Sequence, residues 1–164
     1  MKTLYIVRHA KSSWKEMNMP DFERPLNPRG KQDAPLMGRR LASFGICPDY
    51  LVSSSAKRAL ATANLLAAEL GYPVPRIVQD RELYLAEPGY LLDTIRGFDN
   101  QHGSAMLLGH NPGLTTLANH LGDLPADNIP TCGVYCIDFE VREWRDCGRE
   151  KGRCRFFEYP KKNL

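Results

Sequence analysis

No apolar run in these 164 residues approaches the length of a bilayer-spanning helix, so the sequence offers no membrane segment. Met1-Lys2-Thr3 leads straight into the first apolar stretch and leaves no room for a secretory leader. Net charge is small, +3, which is too weak to argue for nucleic acid without a clustered patch but suits an anionic ligand. Cysteines are few and odd in number, five, and their spacings are poor zinc signatures: Cys132 and Cys136 stand C-x3-C, and Cys147 and Cys154 flank a six-residue polar stretch. Reduced thiols in a cytoplasmic protein are therefore expected. Repeats, linkers and low-complexity segments are also missing. A chain 43% hydrophobic and 25% charged then predicts one globular domain over 1–164 with its own core.

What is present is organised around Leu4-Tyr5-Ile6-Val7-Arg8-His9. A short apolar run bounded by polar residues reads as a strand buried on both faces, as in a parallel sheet. Arg8 and His9 then fall at the strand's carboxyl end, the edge where open α/β sheets bind ligands. Arginine supplies a rigid fork of donors for an oxyanion, and a histidine nitrogen is nucleophilic at neutral pH.

The remaining chain alternates. Asn27-Pro28 reads as an N-cap with proline at the first helical position, and Leu36, Met37, Leu41 and Phe44 give that helix a stripe ending at Gly45. Tyr50-Leu51-Val52 is a second strand. A helix carrying Ala59 to Leu70 follows, with Arg58 in its first turn, where free N–H groups already favour phosphate. Ile77-Val78 and Leu83-Tyr84-Leu85 read as short extended pieces, and Pro88 to Ile95 as a third helix. Ala105-Met106-Leu107-Leu108 is a strand that delivers His110 before a helix over Leu114 to Leu121. Gly133–Val141 and Cys154–Tyr159 suggest an antiparallel hairpin, and Pro160–Leu164 a loose tail. This order predicts a three-layer α/β/α sandwich with a mostly parallel sheet. Arg8, His9, Arg58 and His110 then share one edge, as an anion pocket containing a nucleophile.

These residues resemble the histidine phosphatase superfamily, also called the phosphoglycerate mutase-like fold, and within it the short SixA-type phosphohistidine phosphatases. The resemblance rests on Val7-Arg8-His9-Ala10-Lys11-Ser12-Ser13-Trp14, Asp21 to Gly30, Ser53 to Ala63, and Gly109-His110-Asn111-Pro112-Gly113-Leu114, in family order. Ala10 stands where the common signature has glycine, a variant shared by short SixA-like members. The resemblance implies that His9 attacks phosphorus while Arg8, Arg58 and His110 bind the phosphoryl oxygens. It implies no metal and no cofactor, because guanidinium and imidazolium groups can neutralise the charge. A backbone carbonyl should fix the tautomer of His9. His110 is expected as a cation beside phosphate.

The general acid has two candidates, Glu82 by analogy of position and Asp21 in the proline-rich loop. Asp21 could instead simply pair with Arg24. A phosphohistidine makes little demand on such an acid, because imidazole can leave with its proton on the remote nitrogen. The chain is too short for a long lid. An open pocket suits a phosphohistidine displayed on a signalling protein and would also admit small phosphate esters. Lys11, Ser12 and Arg24 are candidate rim contacts. No nucleic-acid or membrane partner is expected.

Overall fold

The computed structural model describes residues 1–162. Strand β1, Lys2–Arg8, lies at the centre of a six-stranded sheet. With β2 (Tyr50–Ser54), β3 (Val78–Asp80), β4 (Ser104–Gly109), β5 (Val134–Phe139) and β6 (Arg153–Glu158), the strand order is β3-β2-β4-β1-β5-β6. The β1–β4, β2–β4 and β2–β3 pairs are parallel; β1–β5 and β5–β6 are antiparallel. The sheet is thus mostly parallel, with the expected hairpin at one edge.

Alternation along β1 builds two cores. Tyr5 and Val7 face one side, packed with Met37, Leu41, Leu66 and Met106 beneath α1 (Pro28–Ser43) and α2 (Lys57–Leu70). Leu4 and Ile6 face the other, with Leu91, Ile95, Leu114 and Leu117 from α3 (Pro88–Arg96) and α4 (Gly113–Leu121). Because both faces are covered, all four residues are 0–5% exposed, and each buried aliphatic side chain contributes about 1.5–3 kcal/mol of transfer free energy. The architecture is the three-layer α/β/α sandwich.

Local signals act where the sequence puts them. The Asn27 side chain accepts the Gly30 N–H at 2.8 Å, with Pro28 opening α1. Gly71, at φ 75°, ends α2 in the left-handed conformation. Gly38 lets α1 close on α2, since a Cβ there would lie 2.7 Å from Glu69 Cβ.

Two expectations need correction. Leu83-Tyr84-Leu85 is not an extended strand: Arg81–Leu83 forms a 3-10 turn and Leu85 has φ 52°. The Asp80 side chain caps that turn through the Glu82 N–H, at 2.9 Å, which competes with strand pairing. The start of the expected loose tail is anchored. Arg40 donates to the Tyr159 carbonyl at 2.9 Å and to the Pro160 carbonyl at 3.4 Å, and Lys162 pairs with Glu158. Asn163 and Leu164 lie outside the described residues. Among the described residues no helix is long and apolar enough to cross a membrane.

Candidate active site

Strand register assembles the site. Arg8 pairs with Gly109 across β1 and β4, so His9 and His110 leave neighbouring parallel strands at the same level. Their ring centroids are 5.1 Å apart. β2 lies beside β4 and ends at Ser54, delivering Arg58 in the first turn of α2 to the same edge. Arg8, His9, Lys11, Ser12, Arg24, Arg58 and His110 all line one pocket of about 460 Å³.

His9 Nδ1 lies 2.7 Å from the Ala10 carbonyl oxygen. A carbonyl can only accept, so the proton resides on Nδ1 and Nε2 keeps its lone pair. Burial, together with the charges of Arg58, Arg8 and Arg24, lowers the His9 pKa to about 4 against the opposing effect of that hydrogen bond. His9 is therefore a neutral imidazole at neutral pH. The Ala10 peptide is itself fixed, because its N–H donates to Thr62 Oγ1 at 3.0 Å and the Thr62 hydroxyl donates to the Arg58 carbonyl at 2.8 Å.

Three buried polar atoms have no partner among the described residues: Arg8 Nε, Arg58 Nε and His110 Nδ1. Buried donors are rarely left unpaired, and all three belong to pocket-lining residues. Each side chain is otherwise held. Arg8 Nη1 donates to the Ile129 carbonyl at 3.0 Å. His110 Nε2 sits 2.8 Å from Ser54 Oγ, which also accepts the Ala56 N–H at 3.2 Å. If Ser54 uses its own proton toward Nε2, every group there is satisfied and Nδ1–H is the donor left for a ligand.

The protein's own groups do not by themselves make His110 the cation expected beside phosphate. Burial, His9 and Arg58 hold His110 neutral, with its pKa down to about 3, rather than as a cation. The Asp21 carboxylate acts in the opposite direction, and the negative charge of a phosphoryl group would add to it.

The two carboxylates separate clearly. Glu82 is exposed on the Arg81–Leu83 turn and does not line the pocket. Asp21 lies against it instead, in a cluster with Arg58, Arg24 and Tyr84. Its carboxylate accepts from Arg58 Nη2 and Arg24 Nε, both at 2.9 Å, and from the Tyr84 hydroxyl. Burial opposes ionisation, but these donors outweigh it and hold the carboxyl well below the usual carboxylate range. Ser12 and Arg24 are bonded to each other at 2.6 Å, while Lys11 is exposed at the rim.

Sequence reasoning did not single out Thr62, Ser54 or Tyr84. Thr62 follows Arg58 by four residues on one helix, so the spacing could have flagged it. Tyr84 carried no such signal, because only the pairing of β3 with β2 brings its turn to this edge. Trp14, Asn27, Leu85, Asn111 and Thr131 also line the pocket. Among the described residues no group of three or more His, Cys, Asp or Glu side chains could hold a metal ion.

A family model for the histidine phosphatase superfamily (branch 1) matches residues 4–84. An uncharacterised protein of Mycobacterium tuberculosis is 30% identical over 141 residues, which span 80% of this chain and 85% of that one. A solved structure from Agrobacterium tumefaciens, described as a candidate phosphohistidine phosphatase SixA, superposes with TM-score 0.81 at 28% identity, covering 97% of this chain and 98% of the other. The protein histidine phosphatase SixA complexed with tungstate has TM-score 0.82 at 18% identity, covering 96% and 97%, a likeness of fold.

Proposed function

Since the chain belongs to the histidine phosphatase superfamily, we propose that it is a phosphatase that hydrolyses phosphohistidine on a protein through a phosphoryl group carried transiently by His9. The observation that carries this reading is the neutral His9, its proton pinned on Nδ1, beside the partnerless Arg8 Nε, Arg58 Nε and His110 Nδ1.

The His9 Nε2 lone pair attacks phosphorus as the bond to the leaving nitrogen breaks, and that nitrogen keeps the electron pair. The departing imidazole is neutral because its remote nitrogen holds a proton. Water then attacks the phosphoryl group on His9, and the P–N electrons return to Nε2. One water proton stays as the new hydroxyl and the other goes to a phosphoryl oxygen, giving dihydrogen phosphate. Arg8, Arg58 and His110 act on the equatorial oxygens in both steps, where in-line transfer needs charge stabilisation most.

Phosphohistidine is favoured over an ester by the pocket's own composition. Its lining holds arginines, histidines, a lysine and neutral side chains but no carboxylic acid, and the adjacent Asp21 is kept ionised. A poor alkoxide leaving group would lack a proton donor, whereas imidazole does not need one. Small phosphate esters with good leaving groups are the second reading, which the pocket volume of about 460 Å³ supports. Lys11 is a rim contact for a protein-borne substrate.

The test compares kcat/KM for histidine-phosphorylated protein, phosphoserine peptide and alkyl phosphate. Phosphohistidine should lead by orders of magnitude. Preference for the alkyl ester would overturn the substrate assignment. Phosphate binding without any turnover would make the protein a binding module.

A further inference from the structure

We infer that Trp14 is a stacking platform for the leaving group, selecting a flat aromatic or heteroaromatic ring at the mouth of the phosphate pocket. The inference rests on the phosphatase reading above and adds a subsite to it. Trp14 lines the pocket and yet is 73% exposed. Tryptophan is normally well buried, so an indole left open beside an anion site is informative. Its ring is covered by a guanidinium, with Arg24 Cζ 3.5 Å from the ring centroid.

That guanidinium is fixed rather than mobile. Arg24 is 6% exposed and donates to Asp21 at 2.9 Å, to Ser12 Oγ at 2.6 Å and to the Ser13 carbonyl at 3.3 Å. The Ser13 N–H bonds the Pro25 carbonyl at 2.8 Å, tying the loop that carries Trp14 to the segment that carries Arg24. The backbone that carries the indole and the guanidinium on its face are thereby fixed before any ligand arrives, which reduces the entropy cost of stacking. Leu85, 54% exposed, adds a second apolar surface to the same pocket. The pocket thus pairs guanidiniums and imidazoles for the phosphoryl group with an indole and an aliphatic side chain for what the phosphoryl group is attached to.

Two measurements test this. The first is the ratio of kcat/KM for phosphoimidazole over phosphoramidate, which share P–N chemistry but differ in the ring. Trp14→Ala should lower the ratio by roughly tenfold, the size of one base–aromatic stacking contact, and Trp14→Phe should restore most of it. The second needs no turnover: titration of phenylphosphonate against methylphosphonate by calorimetry in wild type and variants, with tryptophan fluorescence as a further readout in the wild type. Trp144 is fully buried, so a change on binding reports Trp14. The phenyl compound should bind more tightly and perturb the emission, and Trp14→Ala should remove the advantage. An unchanged ratio, or equal binding of the two phosphonates, overturns the platform. Selective phenylphosphonate binding without hydrolysis of any phosphoryl compound would overturn the phosphatase reading while leaving the platform standing.

Discussion

Asp21 grips Arg58 at two points: Arg58 Nη1 donates to the Asp21 backbone carbonyl at 2.7 Å, and Nη2 donates to its carboxylate at 2.9 Å. Both terminal nitrogens are thereby engaged, and Nε is the guanidinium nitrogen without a partner among the described residues. Asp21 also receives Arg24 and Tyr84, so it has three reasons to remain charged. A carboxylate in that state orients an arginine better than it gives up a proton.

Asp21→Asn should therefore lower kcat/KM by roughly tenfold to a hundredfold, the cost of losing a charged hydrogen bond, and by a similar factor for p-nitrophenyl phosphate and phenyl phosphate. Glu82→Gln should leave both unchanged. Steady-state kinetics on the two esters decides it. A loss confined to the poorer leaving group would give the acid role back to whichever carboxylate shows it.

His9→Ala should abolish turnover while an anion site remains, measurable as vanadate binding by calorimetry. Rapid labelling from a phosphorylated substrate should be acid-labile and base-stable in the wild type and absent in the variant. His110→Ala should keep the label but slow its formation by roughly 10²–10³, the usual cost of one oxyanion donor. Label on another residue would relocate the nucleophile.

Stability should fall with acid earlier than carboxylates alone would make it. His9 and His110 are held neutral in the fold, with pKa values of about 4 and about 3. In the unfolded chain they protonate near the ordinary 6.5, so below that pH the unfolded state binds protons that the folded state does not. Each histidine then costs up to about 1.4 kcal/mol per pH unit as the pH drops from 6.5 toward its folded value. Asp21 acts later, because its depressed pKa contributes stability that is lost only below the usual carboxylate range. Urea midpoints at pH 7, 6 and 5 should show the slope, and His110→Asn should roughly halve it through removal of one of two equivalent groups. The acid limb of kcat/KM should likewise lie near pH 4, well below an ordinary histidine.

Turnover should survive EDTA, with no gain from added zinc or magnesium. The charge that phosphoryl transfer requires is available from Arg8 and Arg58, both among the pocket-lining residues. Loss of activity on chelation, restored by a divalent ion, would sink this expectation.

Sequence by itself determined the layers and the meeting of the main groups. Alternation in β1 puts Leu4 and Ile6 on one core and Tyr5 and Val7 on the other, and period and capping do the same for α1 and α2. Two apolar strands each ending in a histidine already imply a shared edge, because parallel strands of one sheet end on the same side. Tertiary structure alone decided how the charges are spent. Asp21 and Glu82 are equally plausible acids in the chain, yet an exposed turn keeps Glu82 out of the pocket lining and a loop folds Asp21 onto Arg58, 37 residues away. The neutral His110 of the protein without phosphate has the same kind of origin. Burial and neighbouring cations act through space, and no local pattern in the sequence encodes the sum of those fields.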